Sequence, residues 1–410
     1  MYGKYHLYKK QLSWDSGATW YDSDPLVTVI TGDPVATYET LEECIGGIYR
    51  WVVVSGGYEC SGTTKMTQEK EQVSYDSGTT WTDVTPIETR AVLPVIEYNS
   101  EDCGYTPFNG RYKLTLKNSN TITALCNSTS AITSGEVATQ YSGTVASAEI
   151  GKCVTSIGDE TFIKCSGLTS ITLSNSVTNI GNYAFANCGI INIVIPNNVT
   201  SIGTNLFACS EKLTNAIIGS GITTISMRTF MGCDSLTSVT IPNSVTSIGE
   251  SAFNGCARLT GVTIPSGVTT IGSGAFMDCY SLASIELPNG LTNIGNLTFS
   301  YCSGLTYINI PSSVSFIDHS AFRGCTNLVN IAIPSGVTSI GNFVFSGCTS
   351  LTSITCLATT PPSIGYYVFD STPIESGSGY IYVPSASVDA YKSATRWSDF
   401  SSRIRAIPGT

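Results

Sequence analysis

From about residue 150 the apolar positions fall into one order that recurs along the chain. In the unit SLTSVTIPNSVTSIGESAFNGC, Ser235–Cys256, Leu236, Val239 and Ile241 are apolar, Pro242 interrupts, Val245 and Ile248 follow, and Phe253 and Cys256 close the unit. Val239 and Ile241 flank a polar residue, the period-two pattern of a half-buried strand. Pro242 has no N–H to give a ladder, so the strand is predicted to stop there. Val245 and Ile248 predict a second extended piece on the far side of the coil. Gly249 then marks a bend that needs positive φ or close backbone approach, although Ser226 and Asp318 take its slot in other units.

Phe230, Phe253, Phe276, Phe299, Phe322 and Phe345 follow one another at intervals of 23 residues. Phe162, Phe185, Phe207 and Phe369 extend the series with one-residue slips. One such coil cannot bury its own apolar face, whereas stacked coils share a continuous core. The fold class expected is therefore mainly β: a solenoid of 23-residue coils at a spacing of ~4.8 Å, with the phenylalanines in a buried stack.

Cysteine keeps the same period. Cys165, Cys188, Cys233, Cys256, Cys279, Cys302, Cys325 and Cys348 each stand three residues after a phenylalanine, and Ser210 takes the slot in the third unit, with Cys209 one residue early. Equivalent thiols on neighbouring coils have parallel Cβ vectors, which oppose the disulfide torsion. A column offers a line of ligands, where a metal needs convergent ones. The thiols read as small buried residues that pack the coil, and no metal or cofactor is expected.

The recurring elements A-F-x-x-C, L-T-x-I-x-I-P and V-T-x-I-G resemble the BspA-type leucine-rich repeats, and SAFNGCARLTGVTIPSGVTTIG, Ser251–Gly272, matches at nearly every position. The resemblance covers about residues 145–370. It implies a leucine-rich-repeat solenoid, surface display, adhesion and partner binding, and no shared catalytic residue.

The ends differ from the repeat. Pro361–Pro362 breaks it, Tyr380–Pro384 reads as a strand, and Ser385–Trp397 reads as a short helix with a serine cap. Residues 371–410 are expected to cap the C-terminal end and 113–150 the N-terminal end of repeats at 151–370. Two leading modules, 1–58 and 59–112, share SWDSGATW (Ser13–Trp20) and SYDSGTTW (Ser74–Trp81) at an offset of 61 residues. The pattern S-x-D-x-G-x-T-W resembles the Asp-box of sialidases. There it is a structural hairpin, which implies that Asp15 and Asp76 set the turn while Trp20 and Trp81 pack beneath it. Cys44, Cys60, Cys103 and Cys126 leave their pairing open.

Only 12% of side chains are charged, and the acidic excess is local: residues 1–112 hold 16 acidic and 8 basic side chains, the remainder 14 and 12. No basic patch points to nucleic acid, and no run of about 18 apolar residues predicts membrane insertion. Met1–Trp14 lacks the apolar core of a secretory signal. A sialidase centre would need clustered arginines, and the leading region has Arg50, Arg90 and Arg111 alone. Glu42 and Glu43, adjacent on a strand, point to opposite faces. His319 falls in the variable IDHSAF bend and reads as exposed, and His6 has no visible nucleophile partner. An enzyme is not expected.

A binding or structural role is. The strand positions between apolar residues, such as Thr237, Ser238 and Thr240, make a hydroxyl- and amide-rich face for a protein or glycan partner on a cell surface. Tyr280, Tyr301, Tyr307, Asn309 and Asn330 are the candidate contacts, and Phe230 to Phe345 with Cys233 to Cys348 are the structural columns. The arrangement resembles gut bacteriophage fibre and virion proteins, in which residues 1–112 would meet other virion proteins. A bacterial cell-surface adhesin is the alternative.

Overall fold

The computed structural model describes residues 110–126 and 130–409, together with the backbone of short strands between residues 5 and 91. The chain divides into two compact units, Met1–Pro107 and Phe108–Thr410. In the first unit Tyr8–Ser13 pairs antiparallel with Trp20–Asp22, placing Ser13 opposite Trp20, and Gln72–Val73 pairs with Thr82–Asp83 in the equivalent register. The side chains of Asp15, Trp20, Asp76, Trp81, His6, Glu42, Glu43, Cys44, Cys60 and Cys103 lie outside the described residues.

The second unit is the expected β-solenoid, with about 12 turns of roughly 23 residues. Each coil has a turn side and two short parallel strands, the first reduced in one coil to a single bridge between Thr263 and Glu286. The first strand face comprises segments such as Asn215–Ile217 and Ser238–Thr240 in register, and the second comprises Thr224–Ile225, Ser247–Ile248 and Thr270–Ile271. The strand at 238–240 stops before Pro242, whose carbonyl instead accepts from Val245 N in a tight turn. Gly249 is the close-approach case: a Cβ there would sit 2.6 Å from Met227 N.

Phe162 to Phe369 form one buried column of ten rings. Neighbouring centroids are 5.2–6.1 Å apart and the planes nearly parallel, as close as 4° for Phe253 and Phe276. On the turn side the residues two before and two after each phenylalanine take positive φ, for example Ser251 at 53° and Gly255 at 74°. Every second N–H of this turn then points at the next coil: Ser251, Phe253 and Gly255 donate to Ser273, Ala275 and Met277. On the second strand face the donors at Thr246 and Gly249 run the other way, to Thr223 and Ile225.

The cysteines do more than fill space. From Phe230 to Phe322 each phenylalanine carbonyl accepts from the cysteine N–H three residues on and also from the thiol of the following coil, as Phe253 O does from Cys256 N and from Cys279 Sγ at 3.2 Å. Where Ser210 stands in the column, its hydroxyl donates to Phe185 O at 2.8 Å. Both carbonyl lone pairs are thus used without water. Burial pushes the Cys165 thiol up to about 12 and the Cys256, Cys302 and Cys325 thiols well above their usual range. Buried thiols deprived of the thiolate form are inert. Pulse alkylation of the native chain with peptide mapping should therefore label exposed Cys209 and spare the column; labelling of Cys256 as fast as Cys209 would contradict this burial.

The parallel ladder begins earlier than residue 151. Val145–Ile150 pairs parallel with Ser170–Thr172, and Ala131–Ile132 with Ser156–Ile157. Tyr112–Leu116 lies antiparallel to Val145–Ile150 and to Thr121–Ala124, so the expected boundary after 112 would cut this strand. Cys126 is disulfide-bonded to Cys153, across 27 residues. Arg111 is nearly buried and joins the hairpin to the first coil, its Nη2 reaching Glu136 Oε2 and Ala131 O, each at 2.8 Å.

At the other end Tyr380–Val383 and Ile404–Ala406 continue the first strand face. Trp397 Nε1 donates to Pro362 O and the Tyr391 hydroxyl to Ala358 O, closing the core with two buried aromatic rings. The serine-capped helix expected at 385–397 is instead a 3-10 turn, Ser385–Ser387, followed by a helix at Val388–Ser393. Ser387 makes no side-chain cap bond, and its N–H donates to Pro384 O in the 3-10 turn. Past the last turn Ser371 N has no further coil to meet and donates to Glu375 Oε2 at 2.7 Å.

Candidate binding surface

The five candidate contacts fall on different sides of the coil. Tyr307 and Asn309 lie on the first strand face, in register with Ser284 and Glu286, and Asn330 continues the Tyr307 column one period later. All three side chains are exposed. Tyr280 and Tyr301 belong to the turn side, where the Tyr280 hydroxyl donates to Asp278 Oδ1 at 3.1 Å. The structure does not gather the five into one site.

The threonines of the strand face are less available than a hydroxyl-rich surface suggests. Thr237 Oγ1 donates to Thr214 O at 3.1 Å, Thr214 Oγ1 to Ile191 O and Thr306 Oγ1 to Ala283 O. Their donors stitch one coil to the one before, and Thr240 is half-buried. What faces outward is methyl groups, spare acceptor lone pairs and the amides of Asn309 and Asn330. A threonine repeated at the coil period is here part of the scaffold.

His319 is exposed and also structural. Its Nδ1 accepts from Asn342 N at 2.8 Å, as Asn182 Oδ1 and Asn342 Oδ1 accept from Thr204 N and Tyr366 N on other coils. Among the described residues no three of His, Cys, Asp and Glu are placed to hold a metal, and no helix is long and apolar enough to cross a membrane.

The turn side carries a row that the coil period does not reveal. The Arg323 guanidinium lies 5.9 Å from the Tyr301 ring centroid and 5.7 Å from that of Phe343, and Phe343 stacks on Tyr367 at 5.1 Å. Nearby, Arg396 stands 3.9 Å over the Tyr366 ring while its Nη1 donates to Ile364 O. Phe343 and Tyr367 share the slot two before the buried phenylalanine, but Arg323 stands one after it and Tyr301 two after it, so no single column in the sequence connects the row.

The family model described as BspA type leucine rich repeat region matches the chain over residues 135–260 and 246–376. Among solved structures, a leucine-rich repeat protein from Bacteroides ovatus is 24% identical, over 72% of this chain and 90% of that one, with a TM-score of 0.41. A leucine rich cell surface protein from Faecalibacterium prausnitzii is 21% identical over 85% and 98%, with a TM-score of 0.38. The pneumococcal vaccine antigen PcpA is 17% identical over 86% and 97%, with a TM-score of 0.40. No curated protein matches this chain.

Proposed function

The chain belongs to the BspA type leucine-rich repeat family, and from that membership we propose a non-enzymatic, surface-displayed binding protein whose solenoid meets a protein or glycan on a cell surface. One observation carries this reading: inward positions repeat from coil to coil, while outward ones beside the scaffold threonines change. Phe, Leu, Ile and Cys recur in the core, whereas one outward strand column runs Ser238, Gly261, Ser284, Tyr307, Asn330, Ser353, Tyr380. A constant core with a changing exterior gives a stiff support on which each coil presents different chemistry. Such a surface is ordered before it binds, which lowers the cost of association.

The finer placement is a bacteriophage virion fibre or receptor-binding component, with a bacterial cell-surface adhesin as the alternative. The contrast between an acidic leading segment and a nearly neutral solenoid supports a division between attachment and recognition. Native material should be fractionated into purified virions, cell envelopes and cytosol and measured by mass spectrometry. Enrichment in virions supports the fibre and enrichment in envelopes the adhesin; recovery in cytosol alone would overturn surface display. Removing residues 1–107, a cut that leaves Arg111 and Tyr112 in place, is expected to abolish attachment while the solenoid stays folded.

A further inference from the structure

Arg323 differs from the other stitched or paired groups of the turn side. Its side chain is exposed, and no described residue offers it a carboxylate or another hydrogen-bond acceptor. Aromatic rings stand on both sides of it, and the row continues from Phe343 to Tyr367. The Tyr301 ring lies against the backbone of Gly324, where an added Cβ would come within 2.5 Å of the ring carbon Cδ1. That side of the ring is therefore held against the coil, leaving Tyr301 39% exposed.

We propose that this row binds a carboxylate-bearing oligosaccharide, with the Arg323 guanidinium taking the carboxylate and the exposed Tyr301 and Tyr367 rings taking C–H faces of neighbouring sugars, while Phe343, covered by Arg323 and Tyr367, holds the two in place. The proposal rests on the surface-binding reading above and names its ligand class. A guanidinium presents a planar fork of donors that matches a carboxylate in two parallel hydrogen bonds. Held between rings and without an internal acceptor, it is positioned before the ligand arrives. The row runs from the coil of Phe299 to that of Phe369, so it suits several linked sugars better than one. Tyr367 is 64% exposed and Tyr301 39%, open ring surface of the kind a sugar C–H face can cover, in contrast to the desolvated pocket that an anchoring protein side chain would need.

The test is calorimetric titration of the full chain with oligogalacturonate, a hyaluronan oligosaccharide and sialyllactose. Each is paired with an uncharged counterpart: methyl-esterified oligogalacturonate, carboxyl-reduced hyaluronan and lactose. Polyglutamate serves as a charge control. At least one acidic saccharide should bind about tenfold or more tightly than its uncharged partner, and Arg323→Gln should remove that advantage. Tyr367→Ala should also weaken binding, and Arg323→Gln should move the melting temperature by no more than about 2 °C, because it loses only exposed ring contacts and no internal hydrogen bond. Failure of all three acidic saccharides to bind, or equal binding by Arg323→Gln, overturns the site. Polyglutamate binding as tightly, with Tyr367→Ala silent, would reduce it to a charge contact and overturn the stacking. Adherence of the chain to whole cells separates the two readings: if Arg323→Gln adheres as well as the parent chain, this site fails and surface binding stands.

Discussion

Phe253→Ala will lower the unfolding free energy by about 3–5 kcal/mol, the range for removing a large buried aromatic side chain. The ring is fully buried between Phe230 at 5.3 Å and Phe276 at 5.2 Å, so its loss takes away dispersion contacts on two sides. The surroundings cannot close over the cavity, because the turn is pinned to both neighbouring coils. Phe253 N donates to Ala275 O, Phe230 N donates to Ala252 O, and Phe253 O holds both Cys256 N and Cys279 Sγ. Stability in a stacked array depends on neighbouring interfaces, and this substitution weakens two of them. Urea unfolding curves read the change as a shift in midpoint at constant slope. A loss below about 1 kcal/mol, the ordinary effect of an unremarkable substitution, would contradict the stack as a source of stability.

The second large effect is expected at the N-terminal clasp. Glu136→Ala should cost about 1.5–3 kcal/mol, the range for a hydrogen bond to a charged group, since Arg111 is nearly buried but Glu136 only partly so. The damage lies mostly in what remains: the Arg111 guanidinium keeps its bond to Ala131 O but loses its carboxylate, and its Nε already has no partner. Burial opposes ionisation of Glu136. The Thr133 N–H, the Arg111 guanidinium and the Thr133 hydroxyl outweigh it and hold the carboxyl below its usual range. Its contribution is therefore complete above the pKa of an unfolded glutamate and is lost as pH falls through the lowered folded value. Glu136→Gln should accordingly be less stable than the parent at neutral pH, and the gap should close in acid. A gap independent of pH would show that the carboxylate charge is not what holds the hairpin.

The solenoid and its period were legible because the core is one-dimensional: the same small set of side chains meets the same neighbours on every coil, so Phe253 resembles Phe276 in sequence as well as in place. The turn geometry was not. Leu297, Phe343 and Tyr367 all hold positive φ, where glycine would be the ordinary choice, since three hydrogen bonds per coil impose the backbone shape whatever the side chain. The thiol-to-carbonyl bonds join residues 26 positions apart, and only the stacking direction relates them. Cys126 and Cys153 were equally unpaired on paper, since spacing does not fix connectivity. Arg323 and its flanking rings escaped for the opposite reason to Phe253: Tyr301, Arg323 and Phe343 stand in three different slots, and their proximity arises from a diagonal across coils.

The one-way donors of the turn side have a genetic consequence. Every coil offers the same N–H groups forward and the same carbonyls backward, so a new coil fits between any two others. The clasp at Arg111 and the Glu375 carboxylate that receives Ser371 N are left as they were. In-frame gain or loss of one period in the gene then changes reach by ~4.8 Å per copy. Related chains can diverge in length, and in how many outward positions they expose to selection, while inheriting both ends unaltered.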